Sequence, residues 1–220
     1  MPQALLKFCG MTREEDALRA AALGADFLGF IFHPESPRFV SPLQAAAISS
    51  PGVKRVGVFV RQGGGEILEI MEEARLDYAQ FHGEQTIKDA EKIGRERVIR
   101  VLWPDRFERE DDFLRGSGEW KDRAALFLLD SGLKGGGSGA VIGASASPWF
   151  KKLGRPYLLA GGMNPGKLSR LWPSLDPMLK GFDLNSGVES APGVKDRGLM
   201  AEAARLLGKP PEARRDAPPR

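Results

Sequence analysis

Tyr157-Leu-Leu-Ala-Gly-Gly-Met-Asn-Pro165 and, one helical segment later, Gly181-Phe-Asp-Leu-Asn-Ser-Gly187 decide the fold. Each is a short apolar run that stops at glycine and leads towards a new segment. Asn164-Pro165 then offers an N-cap with proline at the first helical position. A third run, Ala125-Leu-Phe-Leu-Leu-Asp130, precedes Gly135-Gly-Gly-Ser-Gly139. Glycine lets backbone approach an oxyanion closely, and a helix start behind it adds donors and a favourable dipole. Plain turn-making would account for any one of these segments. Three in succession read together as a phosphate site.

Working back towards the N-terminus, β-like runs over 4–9, 27–32, 55–60, 77–82 and 98–103 join those over 125–130, 157–160 and 181–184. Helical segments lie between them. Thr12-x-x-Glu15 has the capping-box pattern for a helix over 13–23 that ends at Gly24, and Ser41-Pro42 caps one running through Ile48. Amphipathic spacing marks 66–74, 85–93 and 195–207, with a further segment over 108–114. Eight strands each followed by a helix predict a parallel sheet, either closed or doubly wound. A doubly wound sheet usually carries its glycine-rich turn after the first strand, where this chain has Cys9-Gly10-Met11. The late glycines favour the closed form. The prediction is α/β: a single-domain (β/α)8 TIM barrel over residues 1–208, with a disordered tail over 209–220.

Composition narrows the chemistry. A hydrophobic fraction of 42% over 220 residues is that of a globular chain. The last dozen residues carry four Lys/Arg against two Asp/Glu, so the tail holds +2 of the net charge of +3. A near-neutral body gives no electrostatic reason to expect nucleic acid as partner. One Cys excludes an internal disulfide framework, and one Cys with two His makes a poor zinc set; neither metal nor cofactor is expected. No apolar run approaches the roughly 20 residues that span a membrane, and the N-terminus lacks a signal-peptide pattern. The expectation is a cytoplasmic protein, monomer or homodimer, acting on a small molecule.

Barrel active sites form at the carboxyl ends of the strands, and most of the unusual polar residues fall there. Cys9 ends the first predicted strand and Asp130 the sixth. Gln80 and His82 end the fourth, Asp183 and Asn185 the eighth, and His33 and Arg38 follow the second. Trp103, ending the fifth, is placed to line the mouth. Side chains two apart share a strand face, so a lumen-facing Cys9 puts Lys7 one layer below it. Strands one and eight meet on closure, which brings Asp183 within reach of Lys7. That pair either fixes the barrel floor or also lowers the thiol pKa from about 8.5 towards neutrality; both can hold. Cys9 alone reads as a small buried hydrophobe or as a reactive thiol. Asp130 needs a partner or a task, and capping of the next loop would serve. Arg38, in a loop stiffened by Pro34 and Pro37, is either a solvated cation or a carboxylate clamp. His33 and His82 receive no proton-transfer role.

Lys7-Phe-Cys-Gly-Met-Thr12, Gly29-Phe-Ile-Phe-His-Pro-Glu-Ser-Pro-Arg-Phe-Val40, Gln80-Phe-His-Gly-Glu84, Ala160-Gly-Gly-Met-Asn-Pro165 and Asp183-Leu-Asn-Ser-Gly-Val-Glu-Ser190 occur in order, with Val56-Gly-Val-Phe-Val60, Leu129-Asp130 and Pro192-Gly-Val-Lys-Asp196. Together they resemble the phosphoribosylanthranilate isomerases of tryptophan biosynthesis, from residue 5 to about 207. The resemblance implies a cofactor-free Amadori rearrangement, with Cys9 as general base and Asp130 as general acid. It places phosphate on Gly161, Gly162, Ser186 and Gly187, and the anthranilate carboxylate on Arg38. Gln80, His82 and Asp183 complete the substrate-binding set. The sequence departs from the family pattern at Ser138, where Thr is usual, at Asn185, where Ser is common, and at Ile142-Gly143-Ala144, which replaces an aromatic-acid-aromatic triplet. Two alternatives use the same barrel. A phosphosugar lyase or synthase, such as indole-glycerol-phosphate synthase, needs a Lys/Glu set at the mouth. A non-catalytic phosphate binder has no use for Cys9, Asp130 and Arg38 together. The related histidine-pathway isomerase generally has Asp where Cys9 stands.

Overall fold

The computed structural model describes residues 4–130, 147–171 and 176–209. The glycine-rich segment 135–139 and the Ile142–Ala144 departure lie outside the described residues. Eight parallel strands close into a barrel in chain order: β1 (Leu5–Phe8), β2 (Phe27–Ile31), β3 (Lys54–Phe59), β4 (Tyr78–Phe81), β5 (Val98–Leu102), β6 (Leu126–Leu129), β7 (Tyr157–Leu159) and β8 (Leu179–Leu184). Each falls within two residues of its predicted bounds. Closure runs from Leu5 opposite Gly181 to Phe8 opposite Leu184.

Among the described residues eight α-helices surround the barrel: α1 (Glu14–Ala22), α2 (Pro42–Ala47), α3 (Gly64–Glu73), α4 (Ile87–Ile93), α5 (Glu110–Gly118), α6 (Ser147–Phe150), α7 (Pro165–Leu171) and α8 (Arg197–Leu206). Their termini follow local chemistry. Ser41 forms a capping box with Gln44, and Asn164 Oδ1 accepts from the Lys167 N–H at 3.0 Å. Gly24, with φ of 72°, ends α1 while its N–H bonds the Ala21 carbonyl and Ala25 N–H bonds that of Ala20. One expected cap does not form: Arg13 is the N-cap of α1 without a side-chain bond. The Thr12 hydroxyl instead donates to the Gly193 carbonyl at 2.6 Å.

Alternation along the strands divides the core in two. Val56, Ile99, Val101, Leu128 and Leu158 fill the barrel interior, while residues such as Phe8, Phe30, Phe81, Phe127 and Phe182 pack outwards against the helices. Beyond β8 the chain makes a small antiparallel sheet, β9 (Glu189–Ala191) with β10 (Val194–Lys195), absent from the predicted elements. Lys209, assigned by sequence to the tail, is buried and its Nζ lies 2.5 Å from Asp26 Oδ2. Lys209 thus packs with the barrel, and residues 210–220 of the expected tail lie outside the described residues.

Candidate active site

Because lumen-facing positions alternate, the residue at each strand end and the one two before it enter the same barrel mouth. This stacks Cys9 over Lys7, His82 over Gln80, Asp130 over Leu128 and Asn185 over Asp183. A cavity of about 490 Å³ opens there, and its wall includes Cys9, Arg38, Gln80, His82, Asp130, Gly161, Gly162, Asp183 and Ser186. That volume suits a ligand of drug or metabolite size. His33 and Trp103 also line it. Gly187 does not: it packs against the Met163 carbonyl so closely that a Cβ has no room. It joins the loops after β7 and β8.

Lys7 is fully buried, and its ammonium donates to Asp183 Oδ2 at 2.9 Å. Neighbouring strands carry the two residues in direct register. Cys9 is also buried, beside Lys7. The expectation of a thiol pKa near neutrality is overturned in direction. Burial pushes the Cys9 thiol up, the Asp183 carboxylate adds to that, and the ammonium groups of Lys7 and Lys195 offset it only in part. Burial is also what makes the Lys7 pair firm. Its own loss of hydration opposes charging, yet Asp183 and Cys9 hold the ammonium above the ordinary lysine value.

His82 is 28% exposed at the mouth, with Nε2 3.8 Å from Asp130 Oδ2 and its ring edge-on to Trp103. Burial, with the cations of Lys7, Arg106 and Arg100, pulls its pKa down to about 4. It is therefore neutral at pH 7. Gln80 Nε2 lies 3.3 Å from His82 Nδ1; an amide nitrogen only donates, so Nδ1 accepts and the proton sits on Nε2, facing Asp130. Two buried oxygens of this wall, Gln80 Oε1 and Asp183 Oδ1, have no hydrogen-bond partner among the described residues.

Arg38 reaches the wall from the loop after β2, and the prolines are not what holds it. Glu189 of β9 takes its Nε and Nη2, and Lys195 of β10 binds the same carboxylate at 2.8 Å. Sequence reading missed Glu189 and Lys195 as site residues. The signal was present in Glu189-Ser-Ala-Pro-Gly-Val-Lys195, where Pro192-Gly193 is a turn pair between short extended stretches. Arg106 was missed too. It lines the cavity with its guanidinium 4.1 Å above the Trp103 ring. Among the described residues no group of three His, Cys, Asp or Glu is placed to hold a metal ion.

A closed parallel (β/α)8 barrel with an acid, a thiol and its polar loops gathered at the carboxyl mouth defines the chain's class. The family model of N-(5'-phosphoribosyl)anthranilate isomerase matches residues 6–205. The isomerase of that name from Desulfovibrio desulfuricans is 45% identical over 205 residues, covering 93% of this chain and 96% of the relative. The phosphoribosyl anthranilate isomerase crystal structure from Thermus thermophilus is 41% identical, with a TM-score of 0.77 over 93% of this chain and 98% of that one. A further crystal structure of such an isomerase, in complex with reduced 1-(o-carboxyphenylamino)-1-deoxyribulose 5-phosphate, is 31% identical with a TM-score of 0.76 over 93% and 98% of the two chains. The chain belongs to the N-(5'-phosphoribosyl)anthranilate isomerase family.

Proposed function

We propose that this chain, acting in the cytoplasm without a cofactor, converts N-(5-phosphoribosyl)anthranilate to 1-(2-carboxyphenylamino)-1-deoxyribulose 5-phosphate in tryptophan biosynthesis. One observation carries the reading: a single cavity combines Cys9, Asp130 and Arg38 with two buried oxygens, Gln80 Oε1 and Asp183 Oδ1, that find no donor among the described residues. Buried acceptors without partners cost about 1–3 kcal/mol each, and ribose hydroxyls supply the missing donors. The phosphate sits on the Gly161–Gly162 turn with Ser186 and Gly187, the anthranilate carboxylate on Arg38.

Asp130, as the acid, protonates the ribose ring oxygen. The anthranilate nitrogen lone pair forms the C1=N bond as the C1–O bond breaks. Cys9 thiolate then removes the C2 proton, and the electrons run back to nitrogen to give the enolamine. A proton gained at C1 and one lost from the C2 hydroxyl produce the ketone, so product and substrate are isomers. Positive charge beside the thiolate comes from Lys7 and Lys195. Acid and base stand three strands apart around the ring, so each meets a different atom of a sugar between them. The synthase alternative lacks support: among the described residues the cavity wall holds no lysine, and Lys7 and Lys195 are each bound to a carboxylate behind it.

The test follows loss of substrate anthranilate fluorescence for wild type, Cys9→Ala and Asp130→Asn, corrected for spontaneous hydrolysis. A fall of roughly 100-fold or more in each variant is expected, as general acid–base groups contribute about that much. A folded wild type that shows no turnover would overturn the reading and leave a phosphate binder in its place.

A further inference from the structure

Glu189 is the hub of a charge cluster behind the cavity wall. Its Oε1 and Oε2 accept from Arg38 Nε at 2.9 and 3.1 Å, and Oε2 accepts from Arg38 Nη2 at 2.6 Å. Oε1 also accepts from Lys195 Nζ at 2.8 Å and from the Gly193 N–H at 3.3 Å. Lys195, whose side chain is fully buried, donates further to Asn185 Oδ1 at 3.0 Å. No hydrogen bond is left for Arg38 Nη1 among the described residues, although the Arg38 side chain lines the cavity. One carboxylate faces two cations, so the trio carries one uncompensated positive charge at the cavity wall.

The surrounding loops are built around this cluster. Gly10 turns with φ of 72°, and a Cβ there would stand 2.7 Å from both Arg38 Cδ and Asn185 Oδ1; only glycine lets the arginine stem lie across the loop after β1. The Thr12 hydroxyl fastens the Gly193 turn to that same loop, and Asp16 Oδ2 accepts from the Lys195 N–H at 3.1 Å.

We propose that Glu189 is a positioning residue: by gripping the Nε and Nη2 edge of Arg38 it presents Nη1 to the aromatic carboxylate of the substrate, and the β9–β10 sheet serves to deliver it there. This inference deepens the functional reading and rests on Arg38 as the carboxylate contact. The guanidinium is planar with a rigid fork of donors, so fixing one edge fixes the direction of the remaining one. The long, otherwise flexible side chain is ordered before the ligand arrives, which reduces the cost of binding. The bound ligand carboxylate then balances the second positive charge.

Glu189→Gln keeps the shape and loses the charge that holds the fork. The experiment measures, by calorimetry, binding of two ligands to wild type, Glu189→Gln, Arg38→Ala and the double variant. One ligand is the reduced 1-(o-carboxyphenylamino)-1-deoxyribulose 5-phosphate, the other its counterpart without the ring carboxylate. Glu189→Gln weakens the first ligand roughly tenfold or more, as expected for loss of a charge-assisted contact. It leaves the second within about twofold and adds nothing in the Arg38→Ala background. In turnover, KM rises while kcat holds. Equal losses for both ligands, or unchanged or tighter binding of the first by Glu189→Gln while Arg38→Ala weakens it, would overturn the proposal. An Arg38→Ala variant that binds both ligands like wild type would remove the Arg38 reading itself, and the proposal with it. Should Glu189→Gln not fold, Glu189→Asp keeps the charge but is too short to span Nε and Nη2, and shows the same carboxylate-specific loss.

Discussion

Burial and charge pull the Cys9 thiol in opposite directions, and burial prevails. In the proposed reaction the base form is the thiolate, so a raised pKa means that activity, like nucleophilicity, grows as pH rises. Cys9 is the chain's single cysteine, which makes alkylation by iodoacetamide an unambiguous probe. The rate is expected to climb with pH and to level off only above the ordinary thiol value of about 8.5. Lys195→Met, which removes one of the opposing cations, moves the limb higher still. A limb below about 8 would show that the charges outweigh burial. Gly29 sets the space for this thiol: a Cβ there would lie 2.6 Å from Cys9 Sγ and 3.0 Å from Lys7 Nζ. Gly29→Ala therefore displaces both groups. It should lower kcat/KM by roughly 100-fold, since a shift of about 1 Å in a reacting group costs that much; overpacking adds about 1–3 kcal/mol of destabilisation on urea unfolding. The positions of Lys7, Cys9 and Asp183 were legible from strand alternation. The sign of the thiol shift was not, because it depends on how dry the site is.

Helix ends were legible at Ser41 and Gly24, where the cap is local. Ser41 and Gln44 close their box within one turn, and Gly24 ends α1 as its left-handed preference dictates. Thr12 was misread because a carbonyl from a distant part of the chain, that of Gly193, competes for its hydroxyl. At the end of α3 the same left-handed position is occupied by Arg75, with φ of 53°, its N–H on the Glu72 carbonyl and the Leu76 N–H on that of Met71. An L-residue there costs about 1–2 kcal/mol, and glycine returns part of that through its freer unfolded state. Arg75→Gly should thus stabilise the protein by about 0.5–1 kcal/mol, read as a higher urea midpoint with an unchanged slope; a lower midpoint would refute the strain. The substitution also removes a like charge near Arg55.

At the scale of the whole molecule, ion pairs close the barrel at both ends. Near the mouth, Lys7 and Asp183 join the first and last strands. At the opposite end Asp26 accepts from the Leu6 N–H at 2.7 Å and from Lys209 Nζ. α8 is finished by Gly208, whose φ is 71°, and the Lys209 N–H returns to the Ala204 carbonyl at 3.0 Å. The lysine head is thereby steered under the barrel. Lys209→Met leaves Asp26 without that cation and should cost about 1–3 kcal/mol in chemical denaturation, with kcat and KM unchanged. Ending the chain directly after Lys209 should cost nothing measurable. A chain ended there that lost stability would assign a packing role to the residues beyond.

The sequence by itself determined the alternation of strands and helices, the order of the rim residues and the layer each occupies, since these follow from backbone periodicity and nearest-neighbour capping. Only the tertiary structure decided which charges meet. Arg38 and Glu189 are 151 residues apart and Lys7 and Asp183 176. A carboxylate chooses its cation by distance and burial, and both come into being only when the ring of strands closes.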